Sequence, residues 1–139
     1  MKKERKKGRG WKVLLIVLAV VVIIVGGFLT FILGGKEKAL ALELENVSLE
    51  TIPNGVYEGS YNGMRWSNTV AVTVENHQIT NIDVVKPQVF IQPETVDTLT
   101  QGVISDQRID VDMVSGATAD SHAFLMAVED ALQKAQQTS

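Results

Sequence analysis

The segment Asp112-Met113-Val114-Ser115-Gly116-Ala117-Thr118 joins a short apolar run to a stretch with helical spacing. Gly116 frees the backbone for a tight turn, Ala117 keeps the approach open, and Thr118 offers an alcohol oxygen. Beyond the turn, the first amides of a helix are unpaired and carry the positive end of its dipole. A phosphate held there sits well beside a threonine hydroxyl. The same residues also suit plain architecture, with Thr118 or Asp120 capping the helix and Asp120 matching its dipole.

The elements that must position this turn can be read from periodicity. Residues 55–61 alternate Val56, Glu58 and Ser60 against Tyr57, Gly59 and Tyr61, and residues 69–75 alternate Val70, Val72 and Val74 against Thr69, Ala71 and Thr73. Each pattern predicts a strand with one buried face. Residues 78–86 repeat it with Ile82 and Val84, and Asn76-His77 is the expected hairpin turn, because Asn tolerates positive φ. The result is a three-stranded antiparallel meander. Pro93 and Glu94 open a helix in which Val96, Leu99, Val103 and Ile104 recur at spacings of three and four, with Gly102 expected to fray it. Residues 109–114 are expected to return to the sheet. A last helix from about Asp120 to Gln136 places Ala123, Phe124, Ala127, Val128 and Leu132 on one stripe. The fold class is therefore α+β, a small antiparallel sheet with packed helices over residues 53–139.

Upstream lies a different kind of sequence. Residues 13–33 hold no charge and one polar side chain, Thr30. As a helix they would be about 31 Å long, against a bilayer hydrocarbon core of about 30 Å. The run 1–12 carries Lys2, Lys3, Arg5, Lys6, Lys7, Arg9 and Lys12 against Glu4 alone, so the positive-inside rule puts the amino terminus in the cytoplasm and everything past the anchor (13–34) outside. Trp11 stands where an interfacial aromatic would. A cleaved signal peptide is the competing reading, since Ala39-Leu40-Ala41 has the small-x-small form. Against it, the apolar run far exceeds the usual ~7 to 15 residues, and Lys36-Glu37-Lys38 intervenes. Residues 35–52 alternate Leu and charge and read as a spacer.

Composition removes several function classes. The chain has no cysteine, which excludes disulfides and thiolate metal or iron–sulfur sites. Beyond Gly34 there are six Lys or Arg against fifteen Asp or Glu, so no surface there would replace phosphate counterions and no nucleic-acid partner is expected. His77 is expected at a hairpin tip and His122 on an exposed helix face, neither a metal ligand. Glu129 and Asp130 are adjacent on a helix, face different ways and are expected to be solvated. No catalytic residue and no metal site is predicted.

Three blocks carry a family resemblance: GVYEGSYNG at residues 55–63, VAVTVENHQITNIDVV at 70–85 and VDMVSGATADSHAFLMAVEDALQKA at 111–135. Over residues 55–135 the chain resembles the FMN-binding domain family, which includes the membrane-anchored flavin subunits of the Rnf complex and of the sodium-pumping NADH:quinone reductase. The resemblance implies FMN as cofactor, joined by a phosphoester to the last residue of the Ser-Gly-Ala-Thr motif, here Thr118. A separate flavin transferase would attach it, using FAD and a divalent metal and releasing AMP. Ser115, Gly116 and Ala117 would then form the phosphate-proximal turn, with Asp112 at the motif's acidic position. Asp120 departs from the pattern, standing where relatives often have Thr or Ser. For the isoalloxazine ring, Tyr61, Trp66 and Met113 are the candidate contacts, with Tyr57 and Met64 less favoured, and ordinary core packing is the alternative for each.

The implied function is that of an electron carrier on a bacterial cell membrane, its domain outside the cytoplasm, exchanging electrons with an unidentified redox partner rather than acting as a stand-alone enzyme. Two alternatives remain at this level. One is a non-redox binding or sensing module of the same fold, and the other is a noncovalent FMN binder.

Overall fold

The computed structural model describes residues 7–139, and the basic run at residues 1–6 lies outside the described residues. The chain divides into a unit ending at Gly34 and a second unit, Gly35–Ser139. The first is a single helix, α1 (Lys7–Leu33), exposed along almost its whole length. Its one polar side chain in the apolar stretch, Thr30, turns its hydroxyl back to the Gly26 carbonyl at 2.8 Å. That bond satisfies the hydroxyl without water, as apolar surroundings require. By length and composition α1 could cross a membrane, as an anchor or as a signal sequence.

The second unit runs α2 (Lys36–Ala41), β1 (Gly55–Tyr61), a short 3-10 turn (Met64–Trp66), β2 (Asn68–Glu75), β3 (Gln78–Lys86), α3 (Pro93–Asp106) and α4 (Thr118–Gln137). The strands form the expected antiparallel meander in the order β1-β2-β3. Tyr57 faces Val72, which faces Ile82, so the alternating apolar residues of the three strands fall on one side of the sheet. Asn76 and His77 make the hairpin turn with φ of 52° and 61°, the two successive positive values that a right-twisted two-residue turn needs. His77 is exposed at the tip, as expected, with Nδ1 3.2 Å from the Leu49 carbonyl oxygen.

Helix α4 lies on the apolar side of the sheet, and Gly59 permits the approach. A Cβ at residue 59 would stand 2.1 Å from the Ala127 carbonyl oxygen and 2.2 Å from the Ala131 nitrogen. Helix backbone and strand backbone are thus in contact, with Ala127 and Ala131 as the small residues on the helix side. Around this contact Val70, Val72, Val74, Phe124, Val128 and Leu132 are all essentially inaccessible to solvent. All five residues of the expected stripe are buried, but burial continues round the helix to Ser121, His122, Leu125, Glu129 and Ala135.

The cause is the segment before the sheet. Residues 36–52, read from sequence as a spacer, are docked along the domain, with Ala39 and Ile52 fully buried and Leu44, Val47 and Leu49 packed against the core. This corrects two expectations about α4. His122 is 6% exposed rather than on an open face. Glu129 is buried and accepts hydrogen bonds from the Glu45 amide at 3.1 Å and the Gln133 side chain at 2.8 Å. Desolvation pushes its pKa up. Asp130 accepts from the Ser60 amide at 2.8 Å and from Lys134 at 2.7 Å, so each carboxylate pins a neighbouring segment to the helix.

Helix α3 begins with Pro93 in its first turn as predicted, and it runs unbroken through Gly102 to Asp106. Residues 109–114 do not join the sheet. The outer edge of β3 is taken by the side chain of Gln107, whose Oε1 accepts from the Ile79 amide at 2.7 Å while its Nε2 donates to the Ile79 carbonyl at 2.8 Å. A carboxamide offers the same donor and acceptor pair as a peptide group, so it stands in for one residue of a missing strand. The 109–114 segment is held otherwise, its Ile109 amide donating to Asn46 Oδ1 at 3.0 Å.

Gly59→Ala should drive β1 and α4 apart and destabilise the domain by about 3 kcal/mol or more, the upper range for overpacking a tight core. Thermal unfolding followed by circular dichroism would measure this. Replacement of exposed Glu58 by Ala on the opposite face should change the midpoint little.

Candidate functional site

Helix α4 starts two residues earlier than the sequence suggests. Thr118 is its first residue and Ala117 its N-cap, with no side chain capping the end. Neither Thr118 nor Asp120 therefore serves as the expected cap. The first intrahelical bond runs from the Ser121 amide to the Ala117 carbonyl at 2.8 Å, which leaves the amides of Thr118, Ala119 and Asp120 ahead of it.

The turn before the helix is fixed from behind. The Ala117 amide donates to the Val114 carbonyl at 3.0 Å, and the Val114 amide donates to Ser121 Oγ at 3.2 Å. Ser121 is fully buried, so its hydroxyl clamps the loop onto the helix that follows. Gly116 has φ of +80°, and nothing lies within 4 Å of where its Cβ would be. The turn needs glycine for its backbone conformation, not for lack of room. Asp112, Met113, Ser115, Gly116 and Thr118 are exposed, while Val114 and Ala117 are half-buried. The motif therefore forms one open surface loop that ends at an uncapped helix terminus with an accessible alcohol.

Asp120 sits in the same first turn, beside groups that the sequence did not point to. Its Oδ1 is 3.8 Å from Nη1 of Arg65, on the turn between β1 and β2, and both side chains are about four-fifths buried. The Arg65 guanidinium also lies over the Trp66 indole, 4.0 Å from the ring centre. Burial raises the Asp120 pKa, with Arg65 and the residue's own backbone amide pulling the other way. Gln88, itself buried, donates its amide to the Asp120 carbonyl at 2.8 Å, and the Val89 amide donates to the Arg65 carbonyl at 3.0 Å. The β1–β2 turn, the loop after β3 and the first turn of α4 are thus tied together.

Gln88 also marks one end of a groove. Val84, Pro87, Ile91 and Val96 line a cleft that has Asn68, Gln88 and Phe124 at its inner end and opens past Pro93 and Asp97 into a space of about 260 Å³. Its inner end holds the unpartnered acceptors Asn68 Oδ1 and Gln88 Oε1. That inner end is closed, without room for a water molecule, and only the outer space between Val84, Pro87, Ile91 and Val96 is open to a ligand with an apolar face. Of the ring contacts expected from sequence, Tyr61 and Trp66 are 7% and 1% exposed and belong to the core, while Met113 stands on the surface loop. Met64 is exposed and Tyr57 is half-buried, its hydroxyl donating to the Pro53 carbonyl at 2.7 Å.

The family model for the FMN-binding domain matches residues 63–133, a span that includes the groove, the Arg65 turn and the whole Ser-Gly-Ala-Thr loop. The chain belongs to the FMN-binding domain family. FMN is accordingly the cofactor of this domain. The residues present fit it, with an uncapped helix end and open turn for the phosphate and an apolar groove for the ring. Segments similar to this chain occur inside larger proteins. A urocanate reductase of Eggerthella lenta is 37% identical over 78 residues, covering 55% of this chain and 13% of that protein. An uncharacterised protein of Treponema pallidum is 28% identical over 122 residues, covering 78% of this chain and 34% of the other. The chain thus spans only about a third, or less, of the length of these curated relatives.

A carboxylic acid whose folded pKa lies above its unfolded value resists ionisation in the folded state, so it lowers stability as pH rises through and past the ordinary aspartate range near 3.8. Asp120→Asn should therefore remove part of the loss of stability between acid and neutral pH. Denaturant midpoints of the two proteins, compared at pH 4 and pH 7, should converge at pH 4 and separate at pH 7 in favour of the variant.

Proposed function

We propose that this protein is a membrane-anchored electron carrier, its domain outside the cytoplasm and its FMN joined through the phosphate to Thr118. The observation that carries this reading is the place of Thr118: an exposed alcohol at the first position of an uncapped helix, within the FMN-binding match. The anchor is argued from α1 and the orientation from the basic run before it.

Attachment needs a nucleophile with room around it, and Thr118 supplies one. Its Oγ would displace AMP from the FMN phosphorus of FAD. The new bond is Oγ–P, the bond broken is that between the FMN phosphorus and the bridging oxygen, and AMP leaves with that oxygen as the threonine proton is released. The transferase would supply the base and the divalent metal. Ser115, Gly116 and Ala117 keep the loop small enough for a second protein to reach the hydroxyl. Once the ester is formed, the amides at the start of α4 face its phosphate and favour the negative charge.

Bound FMN supplies transfer of electrons singly or in pairs. The chain's own residues hold and orient it: the loop 112–118 fixes the phosphate end, and the groove of Val84, Pro87, Ile91 and Val96 would receive the ring and shield it from water. By likeness to a segment of a reductase, the domain would take electrons from one protein and deliver them to another. A covalent link suits such a carrier outside the cell, where a dissociated cofactor is lost.

Intact mass spectrometry of the full chain, purified in detergent after co-production with a flavin transferase, tests the reading. The wild type should gain one FMN less one water and keep its yellow colour after denaturation. Thr118→Ala should gain nothing, while Ser115→Ala should keep most of the label. A wild type that stays unmodified beside a labelled control acceptor, or a Thr118→Ala protein that takes the label, would refute the assignment.

A further inference from the structure

The Arg65–Asp120 pair answers the question raised by the departure at residue 120. We propose that Arg65 is a positioning residue that cancels the Asp120 charge, so that the first turn of α4 still accepts an anionic phosphate at Thr118. This rests on the attachment reading above and deepens it.

Three observations support the role. Asp120 lies two residues past Thr118 in the same helical turn, so an ionised carboxylate there opposes the field of the helix terminus toward a second anion. Its Oδ1 is buried and makes no hydrogen bond, with Arg65 at 3.8 Å as its cationic neighbour. At that distance the pair is a charge pair and not a hydrogen-bonded fork, so the guanidinium compensates charge without locking the carboxylate. Finally, Arg65 is held in place by other means. Its side chain rests on Trp66, and its carbonyl accepts from Val89. Where the motif carries a neutral hydroxyl at residue 120, no such cation is needed. The effect of Arg65 on attachment therefore depends on an acidic residue 120.

A double-mutant cycle on the full chain tests this, read as the initial rate of covalent FMN incorporation by intact mass and in-gel flavin fluorescence. Asp120→Ser should incorporate at least as fast as wild type. Arg65→Gln should slow incorporation about tenfold, the order of effect for leaving one partner of a part-buried charge pair unpaired. Arg65→Lys should restore the rate to within about threefold, since a point charge suffices. The Arg65→Gln/Asp120→Ser double variant should return to the Asp120→Ser rate. If Arg65→Gln matches wild type, or if the double variant stays as slow as Arg65→Gln, the proposal is overturned, the second result assigning Arg65 a packing role on Trp66. Failure of the wild type to incorporate FMN, or label on Thr118→Ala, would instead overturn the attachment itself. Thermal midpoints of all variants separate slow incorporation from loss of fold.

Discussion

The contact of α4 with β1 at Gly59 sets the rest of the domain. A strand and a helix usually stay apart by the thickness of their side chains, but here one missing Cβ and two alanines bring backbone against backbone. Nearly all of α4 is then available for burial, by the sheet on one side and by residues 36–52 on the other. A helix held on so many sides has little freedom to slide or rotate. Its first turn, where Thr118 sits, inherits that fixed position.

The surroundings of that turn follow from the same arrangement. With α4 fixed against β1 and β2, the turn after β1 and the loop after β3 both arrive at its amino end. There Arg65 meets Asp120, and Gln88 meets the Asp120 carbonyl. The domain is acidic overall, so a cation at this end has weight beyond its number. A part-buried carboxylate is unfavourable in any medium of low polarity, and the fold sets beside it a guanidinium supported on an indole.

Much of this was legible in the sequence, because the signals concerned are local. Strict alternation in Val70, Val72 and Val74, the Asn76-His77 turn and Pro93 at a helix start each act within a few residues, and each element formed where its pattern lies. The Ser-Gly-Ala-Thr loop was legible for the same reason. What the sequence concealed depends on partners far along the chain. Glu129 looks like a surface residue until the 36–52 segment meets it through the Glu45 amide, and the 109–114 run looks like a strand until Gln107 occupies the edge it would join. The groove draws its walls from the end of β3, the loop that follows and α3, so no single stretch displays it. For Tyr61 and Trp66 composition alone does not separate a flavin contact from core packing, and both are buried in the core. Arg65 left one faint sign, an arginine next to a tryptophan in an acidic domain.

The occupied sheet edges bear on how such a molecule behaves in company. A three-stranded sheet with bare edges invites neighbouring chains to add strands. Here Gln107 occupies one edge at Ile79, and the Asp130 carboxylate takes the Ser60 amide on the other. A neighbour's strand would have to displace both. Sideways growth of the sheet is thereby opposed at one position on each edge.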